Sequence, residues 1–492
     1  MHGMSERLAD WATNLSWTDI PRDVKDLARL QILDAVGVML AARPLEPVHA
    51  AGRARERNED GLPGQRSGFG SCLFFLSCLF PPPDAGSQAK SLGFDQSLSL
   101  SGAAFVNGVM SSLLEFDDTH IESFVHPTVA PFSIALPYCQ SSHLSGARLM
   151  QAVIIGSELS CRLGLVPPMR LHSVGIHPTA IMGAFGAVYA LAWLEHLDCR
   201  QVVDAIGHCA SMCGGLMASW EDGASTKTLH VGMAASQAAR AVALGREGIS
   251  GPRLVFEGRF GWFQTHVQKA DPSAFRYALA TDGLGSRWEL LNVASKPYPS
   301  AFTIHPYVDA VLALKAAHAI APADIAEIRC RIAPSSVATL CEPAAEKLRP
   351  LTSWHGRISL QHSLAEALVR GGMDKHAYSP EALADPVINA LADKVVYEAH
   401  ASQSADPKKA GAHVRIRLND GSCLEHVIES VRGTRANPIS EEDYIRKFRS
   451  NADGVIAPGR IDEAIHRLMR LDAIDDVAAV FDALATPTVH SE

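Results

Sequence analysis

Apolar positions recur at helical spacing through most of the first 290 residues. Four segments carry an apolar face every three to four residues, namely 20–42, 145–164, 177–194 and 228–244. They are rich in alanine and glycine, and small residues at this spacing let two helices approach closely. The pattern predicts a large helical domain.

The pattern changes after about residue 293. Segments 326–333 and 394–399 are rich in β-branched and apolar residues and predict strands. Segment 413–430 alternates apolar and polar residues and contains Asn419-Asp420-Gly421, a strong hairpin signal. Strands mixed with helices predict an α+β region.

The C-terminal tail returns to helical spacing, from 440–448 to 476–484. We therefore predict a mainly α protein with a domain formed by both ends of the chain. The large all-helical domain would comprise residues 1–292 and 431–492. A smaller α+β lid domain, residues 293–430, would be inserted near its C-terminal end.

Composition narrows the function classes. The chain has 492 residues, 47% hydrophobic and 20% charged, with a net charge of −9. Nucleic acid is not an expected partner, because phosphate binding needs clustered Lys and Arg. The apolar run at 71–83 ends in three prolines and is too short to cross a bilayer, so no membrane association is expected. No secretory signal is visible, and we expect a cytoplasmic protein.

Titratable residues crowd into EFDDTHIESFVH, residues 115–126. Glu115, Asp117 and Asp118 lie there with Thr119 and two histidines, between apolar flanks. Such a stretch can be a metal site, a proton-transfer site or a helix junction. A metal remains possible on Asp117, Asp118, His120 and His126. HExxH is absent, however, and no cysteine–histidine set occurs.

Three further stretches carry candidate chemistry. GIHPTA places His177 at a predicted helix start, where the dipole disfavours a charged imidazole and leaves a base. ASTKTLHVG places Lys227 and His230 three residues apart at another helix start, where a lysine is unusual unless it meets an anion. SKPYPSAFTIHP carries Lys296 and His305 at the predicted domain boundary, where clefts form.

The sequence does not favour a dinucleotide-binding enzyme or a serine acyl-transfer enzyme. GAFGAVYA follows no strand, so it does not predict a dinucleotide-binding loop, and no GxSxG elbow occurs. Arg162 is expected to pair with Glu158 four residues earlier. What remains is general acid–base chemistry on a carboxylate-rich substrate, without metal or cofactor.

These stretches, taken in order, resemble the MmgE/PrpD family, which includes 2-methylcitrate dehydratases and cis-aconitate decarboxylases. The resemblance begins at IPRDVKDLARLQILDAVGVMLAA and passes through FDDTH, GIHPTA, TKTLHVGMAA and KPYP. It ends at ISLQHSLAEAL and ISEEDYIRKFRSNA. It implies a large helical domain, a smaller α+β lid, a homodimer and a metal-free active site between the domains.

The resemblance also implies roles for residues of this chain. The expected catalytic residues are Glu115, His126, His177 and Lys227. Thr119 and Lys296 are expected to bind substrate, and the clusters described above add His230 and His305 to the expected substrate-binding residues. Asp117 and Asp118 are expected to be structural, through helix capping.

Several departures bear on the reaction. Glu115 stands where many members have Asp, although fungal-type decarboxylases also have Glu. Ala301 stands where some decarboxylases have a histidine, and a lid tyrosine of theirs is replaced near Val337. The methylcitrate dehydratases differ too, since their FNDTW corresponds to FDDTH here. We expect a lyase that dehydrates an alkylcitrate such as 2-methylcitrate. The alternatives are decarboxylation of cis-aconitate to itaconate, epimerisation of an imino-dicarboxylate, and a non-catalytic dimeric partner.

Overall fold

The computed structural model describes residues 3–45, 48, 88–268, 270–404 and 410–485. Within these ranges the fold is mainly α, as predicted, with a small α+β region toward the C-terminus. The apolar run at 71–83 lies outside the described residues. Among the described helices, none is both long and apolar enough to cross a membrane.

The predicted helices form with ends close to those expected. The helices up to residue 281 are α1 (Met4–Asn14), α2 (Arg22–Ala42), α3 (Leu100–Ser112), α4 (Val129–Ser141), α5 (Gly146–Gly164), α6 (Pro178–Leu194), α7 (Cys199–Met212), α8 (Ser219–Asp222), α9 (Thr226–Arg246), α10 (Trp262–His266) and α11 (Tyr277–Thr281). Ser99 and Ser145 cap α3 and α5 by accepting from backbone N–H groups of the first turn. Proline at the first position of α6 needs no N–H partner.

Glycine allows α3 and α9 to touch backbone to backbone. A Cβ atom on Gly108 of α3 would lie 2.5 Å from the backbone nitrogen of Gly232 on α9. Any larger residue there would force the two helices apart. This contact sets the distance between the loop after α3 and the start of α9, which both contribute to the candidate site.

The α+β region follows the predicted order. Strands β5 (Ile325–Ile332), β6 (Val395–Ala399), β7 (Ala412–Leu418) and β8 (Cys423–Ile428) form one sheet in the order β6-β5-β7-β8. Strand β5 is parallel to β6 and antiparallel to β7. The predicted hairpin joins β7 and β8, and Gly421 adopts a φ of +88° in its turn.

Within the described residues, seven helices accompany this sheet and three follow it. The first group is α12 (His305–His318), α13 (Pro334–Leu340), α14 (Ala344–Leu348), α15 (Ser353–Arg357), α16 (Leu360–Arg370), α17 (Pro380–Ala384) and α18 (Pro386–Ala392). The second group is α19 (Glu441–Ala452), α20 (Pro458–Leu468) and α21 (Ala478–Phe481). Two-residue strands complete the set: β1 (Ala89–Lys90), β2 (Ser97–Leu98), β3 (Thr119–His120) and β4 (Val293–Ala294).

Buried apolar side chains gather in separate clusters. Two large clusters draw on residues up to 290 and from 444 onward, and a third draws on residues from 298 to 416. Helix α19, which follows the sheet, packs on α2, where Phe448 lies against Gly37. The two ends of the chain therefore share one core, although the exact domain boundaries stay a prediction.

A short antiparallel pairing brings the two candidate regions together. Thr119 of β3 pairs with Ala294 of β4, and His120 pairs with Val293. The loop that follows α3 therefore runs beside the segment that leads to Lys296. Elsewhere in the helical part, the expected Arg162–Glu158 pair is confirmed, with Nε and Oε1 2.6 Å apart.

Candidate active site

Glu115 lies at the centre of the site, in the loop after α3. Its side chain is buried, and its backbone adopts a left-handed φ of +51°. The carboxylate lies between two lysines. Lys227 Nζ donates to Oε2, and Lys296 Nζ lies 2.9 Å from Oε1. The structure thus joins three predicted site residues from distant parts of the chain.

The two lysines keep Glu115 ionised. Burial alone would raise the pKa of this carboxyl group. Lys227, Lys296 and His126 outweigh burial and hold the pKa of Glu115 well below its usual value. Lys227 occupies the first turn of α9, where the helix dipole disfavours a cation, and the anion expected to compensate is Glu115.

His126 is held in one orientation. Its Nδ1 atom lies 2.6 Å from the carbonyl oxygen of Asp118 and 3.1 Å from Thr119 Oγ1. Because a carbonyl can only accept, Nδ1 carries the proton in the neutral ring. The free lone pair is then on Nε2, which lies 3.8 Å from Glu115 Oε1. Burial lowers the pKa of His126, although Asp117 opposes this.

His177 and His230 form a second contact at the site. His177 is the residue before α6, as predicted, and its backbone N–H donates to the carbonyl of Gly215 at 3.0 Å. Its Nδ1 atom lies 3.1 Å from His230 Nδ1, and its ring centre lies 6.3 Å from that of His126. Burial and nearby Lys227 lower the pKa of both rings, to about 4 for His230.

His305 has Lys296 nearby, since burial and then the charge of Lys296 lower the pKa of His305 to about 3. It is fully buried at the start of α12, where Nε2 donates to the carbonyl of Ser300 at 3.1 Å. Its ring packs beside Tyr298 and Phe302. Among the described residues, no contact joins His305 to Glu115, and its role in substrate binding stays a prediction.

The central aspartates differ from each other. Asp118 accepts from Thr128 Oγ1 at 2.5 Å, and Thr128 is the residue before α4. This contact joins two side chains and caps no backbone N–H group of α4, so the expected capping role of Asp118 stays a prediction. Burial raises the pKa of Asp118 to about 7. Asp117 instead faces the site, 3.6 Å from Lys296 Nζ and 3.7 Å from His126 Nδ1.

A metal ion would compete with the lysines. Glu115, Asp117 and His126 each offer a donor atom, and these atoms lie within 4.8 Å of one another. However, both oxygens of Glu115 already contact ammonium groups. Since like charges repel strongly in a buried site, this donor set fits a cation poorly.

Sequence reasoning missed three residues that support the site. Lys447 of α19 forms an ion pair with Asp34 of α2, with 2.7 Å between Nζ and Oδ1, and both side chains are buried. Arg357 of α15 is buried and donates to the carbonyl of Leu114. Lys447 could have been noticed because it shares a buried helix face with Tyr444, Asn451 and Phe448. Arg357 had no comparable signal.

Comparison with known proteins decides the family. The MmgE/PrpD N-terminal domain matches residues 75–274, and the MmgE/PrpD C-terminal domain matches residues 298–471. The chain belongs to the MmgE/PrpD family. The resemblance seen in the motifs is thereby confirmed.

Among curated MmgE/PrpD relatives, cis-aconitate decarboxylase of Aspergillus terreus is 26% identical over 99% of this chain and 96% of its own length. The cis-aconitate decarboxylase-like protein oryM of Aspergillus oryzae is 25% identical over 96% of this chain and 96% of its own length. Human cis-aconitate decarboxylase is 26% identical over 78% of this chain and 79% of its own. These names support a lyase and give no support to the expected preference for dehydration.

Proposed function

We propose that this protein is a cofactor-independent lyase that releases carbon dioxide from cis-aconitate or a close unsaturated tricarboxylate. The observation that carries the proposal is the Glu115 carboxylate held between two buried lysines beside His126. The two buried ammonium groups can bind anionic groups of a substrate. The end-to-end similarity to cis-aconitate decarboxylases supports loss of carbon dioxide over loss of water.

The reaction needs one proton and no redox partner. The bond between the methylene carbon and its carboxylate breaks, and its electron pair forms a new terminal double bond. The electron pair of the former double bond takes a proton at the carbon beside the remote carboxylate. A trianion and one proton thus give carbon dioxide and the dianion itaconate. The charge that develops on the remote carboxylate is what cations can stabilise.

The described side chains supply these functions. Lys227 and Lys296 would hold two retained carboxylates, and Glu115 would place both ammonium groups. His126 or His177 would deliver the proton, with Thr119 orienting His126. Both rings are mainly neutral without substrate, since burial lowers the pKa of each. A bound trianion adds negative charge nearby and raises the pKa of these rings.

Dehydration of an alkylcitrate is the second candidate. One observation favours it: neutral, buried histidines suit removal of a carbon-bound proton as a base. The same lysines would then hold the carboxylates of the citrate. The two candidates differ in what leaves the substrate, which makes them separable by product.

One assay separates the candidates. Purified protein is incubated with cis-aconitate, 2-methylcitrate or citrate, and products are followed by proton NMR and released carbon dioxide. We expect carbon dioxide and a methylidene signal from cis-aconitate only. A new internal double bond from 2-methylcitrate without carbon dioxide would overturn the proposal and establish the dehydratase. Glu115→Gln, whose kcat should fall on the order of a hundredfold, is the low-activity control.

Assembly and a non-catalytic role are tested alongside. We propose that the protein is a homodimer, as the family resemblance implies, and analytical ultracentrifugation measures this directly. A monomer at micromolar concentration would refute it. Tight tricarboxylate binding without turnover on any substrate would favour a non-catalytic member.

A further inference from the structure

Three successive backbone carbonyls around Glu115 each accept from a different buried cation. Arg357 donates to Leu114 O at 2.7 Å, Lys296 to Glu115 O at 3.2 Å, and Lys447 to Phe116 O at 2.9 Å. The three cations come from α15, from the segment after β4, and from α19. A loop with every carbonyl held by a separate side chain is not needed merely to end a helix.

Two of these cations also hold the segment that carries Lys296. Arg357 donates to Pro299 O at 2.8 Å, and Lys447 donates to Lys296 O at 2.9 Å. Each of the two side chains therefore bridges segment 114–116 and segment 296–299. These are the segments whose side chains meet in the Glu115–Lys296 pair.

The bridges act on a residue with an unfavourable backbone. A φ of +51° is uncommon for a residue with a Cβ atom, and such conformations persist where surrounding contacts impose them. The carbonyls of Leu114 and Glu115 belong to the two peptide planes that flank the Glu115 Cα atom. Arg357 holds the first of these planes and Lys296 holds the second, so φ and ψ are fixed. Lys447 holds the next carbonyl, Phe116 O, together with the backbone of Lys296. These contacts fix the direction in which the carboxylate leaves the backbone.

We infer that Arg357 and Lys447 are positioning residues that aim the Glu115 carboxylate at Lys227 and Lys296. Neither contacts the carboxylate itself in the described structure; they act through backbone carbonyls. Asp34 balances the charge of Lys447 through their buried ion pair. The ammonium group of Lys447 also lies 3.8 Å from the centre of the Phe116 ring. The inference rests on the proposed function, because positioning is measured through turnover of a tricarboxylate.

The test compares Lys447→Met, Lys447→Arg and Arg357→Lys with the wild-type protein. We expect Lys447→Met to lower kcat on the order of a hundredfold, because an error of about 1 Å in a reacting group has that effect. KM should stay within about threefold, since Lys227 is untouched. Lys447→Arg keeps several donors and should recover part of the loss. Arg357→Lys keeps the buried charge but loses the planar guanidinium, so kcat should fall again.

Lys375→Met is the matched control. Lys375 also donates from the lid to backbone carbonyls near the end of α19, those of Asn451 and Asp453. Its kcat should stay within about twofold of wild type. Every variant is assayed well below its own melting temperature, so that lost stability is not read as lost turnover. Full kcat in folded Lys447→Met, or in folded Arg357→Lys if Lys447→Met does not fold, overturns the inference.

A crystal structure of Arg357→Lys separates this inference from the proposed function. If wild-type protein turns over no tricarboxylate, the proposed function fails on its own. Positioning is then judged from the backbone alone. Displacement of the Glu115 carboxylate from Lys227 and Lys296 supports it, and an unchanged φ with both contacts intact overturns it.

Discussion

The Nδ1 atoms of His177 and His230 lie 3.1 Å apart between two buried rings. Two neutral imidazoles can share only one proton across such a contact, so one ring donates through Nδ1 and the other accepts. The accepting ring must carry its own proton on Nε2. A proton added to either ring would place positive charge beside the other ring and near Lys227, which is why Lys227 helps burial to lower the pKa of both.

This histidine pair predicts acid-sensitive stability. Unfolded histidine has a pKa near 6.5, whereas the pKa of folded His230 is about 4. Between these values the unfolded chain binds more protons, so the free energy of unfolding falls as the pH is lowered. Each such histidine lowers the free energy of unfolding by up to about 1.4 kcal/mol for each pH unit of acidification. We expect urea unfolding at pH 7, 6 and 5 to show this decline.

His230→Gln should reduce the slope by up to one histidine's share. His126 and His305 keep contributing in the same direction, because burial lowers the pKa of each. Asp118 acts oppositely, since its pKa is raised to about 7 and it binds a proton in the folded state first. An unchanged slope in His230→Gln would show that His230 is not held neutral.

Glu115→Gln should damage both stability and turnover. The change leaves two buried ammonium groups without their shared carboxylate, and breaking a buried pair this way costs about 3–5 kcal/mol. We expect a lower midpoint of urea unfolding and a kcat reduced on the order of a hundredfold. Circular dichroism and steady-state kinetics measure the two effects.

Glu158→Gln is the control for that change. Glu158 is equally buried and pairs with Arg162, but accepts from the backbone of Glu289 and Leu290 instead of contacting the site lysines. It should lose stability while kcat stays near the wild-type value. Equal losses of kcat in both variants would mean that Glu115 matters only for folding.

The two lysines should differ when each is replaced by methionine. Lys227 contacts the carboxylate of Glu115, whereas Lys296 also holds the carbonyl of Glu115. Lys227→Met should mainly raise KM, by about 10- to 100-fold for loss of a charged hydrogen bond. Lys296→Met should lower kcat as well. Lys315→Met, which among the described residues removes a contact to Leu368 O far from Glu115 in sequence, should leave both constants unchanged.

Chelators should leave activity unchanged. The donor set of Glu115, Asp117 and His126 already faces two ammonium groups, which disfavour a further cation. Dialysis against EDTA, followed by assay and elemental analysis, tests this. Loss of turnover that zinc or manganese restores would refute the prediction and assign a metal to these three residues.

Local patterns were sufficient for much of the fold. Apolar periodicity located α2, α5, α6 and α9 to within about two residues, because each buries a continuous face. The hairpin of β7 and β8 followed from Asn419-Asp420-Gly421, since a tight turn requires that chemistry. These features depend on neighbours in sequence.

Contacts between distant segments could not be read in the same way. The sequence marks Lys227 and Lys296 as candidates. It does not show that both contact the single carboxylate of Glu115. Arg357 and Lys447 were missed because their partners are backbone carbonyls, which carry no residue identity. His305 shows the converse: it follows Lys296 by nine residues in the sequence, yet its ring packs between those of Tyr298 and Phe302.

Lys296, Arg357 and Lys447 lie far apart in the sequence, so they are synthesised at different times after the loop around Glu115. Lys447 follows its partner Phe116 by 331 residues. At about 5–20 residues per second, a ribosome needs roughly 15 to 70 s to cover that interval. Until then the loop around Glu115 lacks one of its three holding side chains, and Asp34 lacks its counter-ion. The contacts that hold the loop around Glu115 therefore cannot be complete until α19 has been synthesised.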